Sequence, residues 1–153
     1  PEIKEGDLAP EFQVLGQDLA PVKLSDVQGK IRLISVVPSL DTPVCDAQTR
    51  RFNEEAAKLP NTVEIWTISM DLPFAQRRWC GAAGIERIKV FSDHREANFG
   101  TAYGALIKEL RLLTRAIIVI DQRDSVRHVE YVREVTTHQN YDAALAAVRK
   151  HSG

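Results

Sequence analysis

The sequence predicts an α/β fold, a central mixed β-sheet flanked by helices on both faces, and three observations point there. Strand-like runs at residues 31–37, 62–69 and 116–121 alternate with segments of helical periodicity, the arrangement of a partly parallel sheet. The first and last of these runs, IRLISVV and AIIVID, are apolar almost throughout, as expected of strands buried on both faces. The 153 residues amount to one domain, 1–153, long enough to bury a core of its own.

Each element follows in chain order. Residues 10–24 read as two short strands, carrying Phe12, Val14 and Leu15, then Val22 and Leu24, joined by a polar turn with a glycine. Residues 25–30 form a turn or short helix ending at Gly29, and residues 31–37 form a central strand closed by Pro38. Pro43 suits the first position of a helix, where its missing N–H has no partner to lose. That makes Thr42 the N-cap. This helix runs to about residue 59, where Pro60-Asn61 ends it, and Cys45, Phe52, Ala56 and Leu59 lie near one face. Residues 62–69 are the next strand. A second helix begins at Pro73, carries Trp79 and Cys80, and stops at Gly84. A short strand at 88–91, a helix at 95–103, a buried strand at 116–121, a polar loop and a strand at 126–132 follow. Asn140 caps a last helix with Tyr141, Ala144, Leu145 and Val148 along one stripe. The order β-β-β-α-β-α-β-α-β-β-α, with an antiparallel hairpin before the last helix, is the outline of a thioredoxin-like fold with insertions.

Composition excludes several classes of function. Apolar residues make up 44% and charged residues 27%, with a net charge of −1 and the two signs interspersed. No basic face for nucleic acid is present. No apolar run is long enough to cross a bilayer, and the first residues do not resemble a signal peptide. Two cysteines, Cys45 and Cys80, are too few to staple a secreted scaffold. They fit a reducing, cytoplasmic compartment, as bland thiols or as a redox pair.

The thiolate is the nucleophilic form of cysteine, so a reactive Cys needs its charge stabilised. Three residues after Thr42, the Cys45 sulfur would lie near the unpaired N–H groups of the first helical turn, which together with the helix dipole favour an anion. Pro38 and Pro43 stiffen the approach, whereas the adjoining Asp46 opposes thiolate formation. Position alone leaves an inert buried thiol open for Cys45. It also leaves open whether the Thr42 hydroxyl is a plain cap or reaches the sulfur as well. Arg115 directly precedes a buried run, where a guanidinium must find an anion or stay at the solvated strand end. Cys80 sits on the other helix. A disulfide needs Cα atoms within roughly 7 Å, so pairing of the two would require a helix to unwind partly, which Gly81 and Gly84 ease.

At these residues the chain resembles the peroxiredoxin family. Pro38-x-x-x-Thr42-x-x-Cys45 is similar to its active-site pattern. The longer strings PSLDTPVC (38–45) and DLPFAQRRWC (71–80) resemble the bacterial thiol peroxidase subfamily, the atypical two-cysteine members. The likeness extends to AYG (102–104) and RAIIVID (115–121) and covers nearly the whole chain. It implies a thioredoxin-dependent peroxidase that reduces hydrogen peroxide and organic hydroperoxides. In it, Cys45 is the peroxidatic thiol and becomes a sulfenic acid, Thr42 and Arg115 hold the thiolate and polarise the peroxide, and Pro38 shields the site. Cys80 resolves the sulfenic acid as an intrachain Cys45–Cys80 disulfide, which avoids irreversible over-oxidation. The resemblance further implies thioredoxin as reductant, no cofactor, a homodimer, and a bacterial cytoplasmic location. The subfamily usually begins with an extra β-hairpin, which this sequence does not show. Leu40, Val44 and Phe74 are candidates for an apolar substrate wall.

Other readings are weaker. A thioredoxin-type disulfide exchanger needs C-x-x-C, and Cys45 is followed by Asp46, Ala47 and Gln48. His94, His128, His138 and His151 are scattered without ligand spacing, so no metal is expected. A non-enzymatic holdase with idle thiols would leave the paired motifs unexplained. Arg50-Arg51 and Arg77-Arg78 read as solvated helix faces.

Overall fold

The computed structural model describes residues 2–132 and 141–152. Its strands are β1 (Gln13–Leu15), β2 (Pro21–Lys23), β3 (Ile31–Val36), β4 (Val63–Ser69), β5 (Lys89–Ser92), β6 (Leu106–Ile107), β7 (Leu112–Leu113), β8 (Arg115–Ile120) and β9 (Val126–Val132). Its α-helices are α1 (Pro43–Ala56), α2 (Pro73–Ala83), α3 (Asn98–Ala102) and α4 (Tyr141–Ser152), with a 3-10 turn at Leu24–Val27. Seven strands form one sheet in the order β2-β1-β5-β4-β3-β8-β9. The central three are parallel, β3 with β4 and β4 with β5, while β8, β9, β1 and β2 join antiparallel. This is the expected mixed sheet.

The apolar runs occupy the middle of that sheet. All six residues of β3 and all six of β8 are buried. Alternation then divides the core in two. On one face Ile31, Leu33, Ile117 and Val119 meet Phe52 of α1 and Ala144, Leu145 and Val148 of α4. On the other, Ile34, Val36, Ile118 and Ile120 meet Phe99 and Tyr103, which with Phe12 form an aromatic cluster beneath α3. Both faces are therefore helix-covered.

Pro43 and Pro73 stand at the first turns of α1 and α2, and Gly84, at φ 70°, ends α2 in the left-handed conformation that glycine adopts without penalty. Four details depart from the sequence reading. The α1 helix closes at Ala56, and residues 57–59 continue with three-residue turn bonds to Glu54, Glu55 and Ala56. The α3 helix is shorter than 95–103 because Ala97 turns left-handed (φ 51°) and the Asp93 carboxylate accepts the N–H groups of Phe99 and Gly100. Leu24 opens the 3-10 turn rather than extending β2, and the β6–β7 hairpin was not expected. Asn140, the expected cap of α4, and His138 lie outside the described residues. No helix among the described residues is long and apolar enough to cross a membrane.

Candidate active site

The C-terminal ends of β3 and β4, running parallel, release the loops 37–42 and 70–72 side by side. In open α/β sheets such carboxyl ends are where ligands bind. The first loop leads into α1, which places Cys45 at its third position, and the second leads into α2, which carries Cys80 on its third turn. Both thiols are free and buried. They share one small apolar cluster with Val37, Leu40 and Val90. The two sequence motifs thus meet in space.

Three groups reach the Cys45 sulfur: the Thr42 hydroxyl, the backbone N–H of Ser39 and, through its charge, the Arg115 guanidinium. Arg115 is 3% exposed, so it enters the sheet rather than ending in solvent. Its guanidinium acts on the sulfur in a poorly solvated setting, where charges interact more strongly than in water. Thr42 is the N-cap by position, and its carbonyl accepts the Asp46 N–H at 2.9 Å. Its hydroxyl does not cap the helix. It lies 3.0 Å from the Ser39 carbonyl, to which it donates, and within reach of the sulfur.

The electrostatic balance differs from the expectation of a stabilised anion. Burial is the largest influence on Cys45 and pushes its thiol above the ordinary cysteine value; the Thr42, Ser39 and Arg115 contributions pull the other way, and the Asp71 carboxylate adds to the rise. With the residue 2% exposed, loss of hydration outweighs the donors. The amide that reaches the sulfur is also not one of the first helical turn; it belongs to the loop. Burial raises the Cys80 thiol likewise, opposed by the Gln17 side chain, whose Nε2 donates to the Cys80 sulfur at 3.5 Å.

Sequence reasoning missed Ser39, Asp71 and Gln17. The Asp71 carboxylate accepts hydrogen bonds from the Ser39 hydroxyl (2.8 Å), the Leu40 N–H (2.9 Å) and the Ser69 hydroxyl (2.8 Å). The signal was present in the string DLPFAQRRWC, which begins at Asp71, but no spacing rule ties that residue to the loop before α1. Asp46, read as an opposing neighbour of the thiol, instead accepts from Arg50 Nε (2.5 Å) and from Trp79 Nε1 (3.0 Å) on α2. The Arg50 guanidinium also lies over the Trp79 ring, 5.5 Å from its centroid, and Arg51 pairs with Asp142 at 2.6 Å. These two arginines tie helices together rather than merely solvating one. Arg77 and Arg78 are exposed.

Of the remaining candidates, Pro38 is half-buried at the start of the loop, Leu40 is buried in the cluster of the two thiols, and Val44 is half-buried. Phe74 is 65% exposed on the first turn of α2, next to the exposed Leu72. Among the described residues no group of His, Cys, Asp and Glu is arranged to hold a metal ion.

Comparison with known proteins gives concordant matches. The Redoxin family model matches residues 4–145. The chain is 60% identical to a thiol peroxidase of Halalkalibacterium halodurans over 148 residues, 97% of this chain and 89% of that one. It is 55% identical to a thiol peroxidase of Bacillus subtilis, covering 97% and 88% of the two chains. Among solved structures it resembles a peroxiredoxin-like protein from Aquifex aeolicus, with a TM-score of 0.90, 39% identity, and 98% and 88% of the chains covered.

Proposed function

The chain belongs to the redoxin family and, like its thiol peroxidase relatives, is a peroxidase; from that premise we propose that Cys45 reduces the hydroperoxide and Cys80 resolves the product. The observation that supports this assignment is the meeting of both thiols in one apolar cluster, with the Ser39–Thr42 loop and the buried Arg115 acting on Cys45.

The Cys45 thiolate attacks the terminal peroxide oxygen. The O–O bond breaks, sulfur is oxidised to sulfenic acid, and the departing alkoxide or hydroxide takes a proton and leaves as alcohol or water. Negative charge moves from sulfur to the departing oxygen, and fixed donors around the path stabilise it without reorganising. Pro38, at the rim of the loop, shields the site from water. The Cys80 thiol then attacks the sulfenic sulfur, forms an S–S bond and releases water. Cys80 stands on a separate helix, and partial unwinding of α2 is the proposed movement that joins the two sulfurs.

The oxidised pair must be reduced by an external dithiol, and a thioredoxin is the reductant proposed. Leu40, Val44 and Phe74 are the proposed apolar wall for an organic hydroperoxide, hydrogen peroxide being the other substrate. A homodimer is part of the same reading, since Leu72 and Phe74 are exposed apolar side chains at this end of the molecule. A cytoplasmic setting accords with the two free thiols.

Steady-state peroxide consumption with a thioredoxin system tests the roles. Cys45→Ser abolishes turnover. Cys80→Ser permits one round and then depends on an added small thiol. Equal residual activity in the two variants would contradict the assignment.

A further inference from the structure

We propose that Asp71 is a positioning residue for the peroxidatic thiol: by holding the Ser39 side chain and the Leu40 N–H it fixes the Ser39–Thr42 loop beside Cys45. This rests on the reading of Cys45 given above.

Ser39 is the hub of the loop. Its carbonyl accepts the Thr42 hydroxyl at 3.0 Å and the Thr42 N–H at 3.3 Å, its hydroxyl accepts the Asp41 N–H at 3.1 Å, and its backbone acts to lower the Cys45 thiol. Rotation of this one residue displaces both the amide donor and the hydroxyl that surround the sulfur. What prevents rotation is Asp71. One carboxylate oxygen takes the Ser39 hydroxyl, and the other takes the Leu40 N–H together with the Ser69 hydroxyl at the end of β4. The Ser69 oxygen in turn accepts from Gln76 Nε2 on α2 at 3.0 Å, and the Asp71 carbonyl accepts from the Ser92 hydroxyl at 2.5 Å. The loop is thus anchored through the Asp71 side chain to Ser69 of β4 and, by way of Ser69 and Gln76, to the helix of Cys80, while the Asp71 carbonyl adds a tie to β5.

An ionised carboxylate suits this task, because it accepts at both oxygens and its hydrogen bonds are roughly twice as strong as neutral ones. Its charge, however, works against the Cys45 thiolate, since Asp71 raises that thiol further. A residue that opposes the charge of the nucleophile while holding its donors serves the site through geometry.

Placement and charge separate by substitution. The reaction of hydrogen peroxide with Cys45, followed by stopped flow across pH, yields a midpoint and a plateau, the latter being the reactivity of the full thiolate. In Asp71→Asn the amide oxygen still accepts from Leu40 and Ser69, and the NH2 can donate to the Ser39 hydroxyl. The midpoint falls, and the plateau stays within about threefold of wild type. In Asp71→Ala the plateau falls by about tenfold or more, the scale expected for displaced donors. A wild-type plateau in Asp71→Ala overturns the inference. If Asp71→Ala does not fold, as judged by circular dichroism, Ser39→Ala removes only the hydroxyl contacts. A lowered plateau in that variant supports the inference, and a wild-type plateau overturns it. If the wild-type Cys45 fails to react with peroxide, the reading of Cys45 itself is at fault, an outcome distinct from an unchanged Asp71→Ala.

Discussion

At Cys45 two opposing effects meet at one sulfur. Burial removes water from the thiolate, and the Thr42 side chain, the Ser39 backbone and the Arg115 charge offset part of that loss. Burial dominates, so at neutral pH the thiolate is a minority and reactivity rises with pH past the ordinary cysteine range, measured as the rate constant for peroxide against pH. Arg115→Gln removes the cationic partner, pushes the thiol higher still, and lowers the rate at neutral pH by about 10²-fold, as for loss of one transition-state donor. The same shift appears in stability. A thiol whose folded pKa lies above its unfolded value favours the native state below the unfolded value, and that contribution is lost as pH climbs through the folded one. Cys45 and Cys80 are both raised. Guanidinium midpoints at pH 7 and at alkaline pH therefore differ more in the wild type than in a Cys45→Ala, Cys80→Ala variant. Equal differences would contradict the shift. Cys45, Thr42 and Arg115 were legible as candidates through the motif resemblance, while position alone left an inert thiol, a plain cap and a solvated arginine open. Ser39 and Asp71 were not. One acts through a backbone N–H, which any residue type supplies, and the other is brought to the loop only by β3–β4 pairing.

At the scale of elements, the proposed disulfide step has to pass the contact between α1 and α2. Asp46 and Arg50 on α1 grip the Trp79 ring and its N–H on α2, one residue before Cys80. The proposed partial unwinding of α2 would break this grip. Trp79→Phe keeps a ring but deletes the hydrogen bond, and the account predicts several-fold faster Cys45–Cys80 disulfide formation after peroxide addition. Unchanged or slower formation would show that the grip does not hold α2 in place. Gly84 at φ 70° closes the same helix, and Gly84→Ala costs about 1–2 kcal/mol of stability, measured by urea unfolding. The helix starts at Pro43 and Pro73 and the stop at Gly84 were legible from rules of local backbone chemistry. The α1–α2 grip was not, because Asp46 and Trp79 belong to different local patterns.

At the scale of the whole molecule, the sheet brings the two motifs together by making β3 and β4 parallel neighbours whose carboxyl ends emerge side by side. Alternating apolar strands made that sheet readable. The β6–β7 hairpin was not readable, since two-residue strands leave no periodicity, and neither was Arg32. It lies fully buried within β3, and its Nη2 donates to the Asp121 carbonyl and the Asp124 carboxylate, each at 2.6 Å, from a loop distant in sequence. Phe52 couples α1 to the sheet from full burial. Phe52→Ala costs about 3–5 kcal/mol in denaturant unfolding and loosens the helix that carries Cys45. The most direct test of the central claim is mass spectrometry of the chain after one equivalent of hydroperoxide, with the modified thiols mapped. The account predicts an intrachain Cys45–Cys80 disulfide in the wild type and a sulfenic acid at Cys45 in Cys80→Ser. Oxidation that begins at Cys80, or a Cys45 still reduced after the peroxide is consumed, would contradict it.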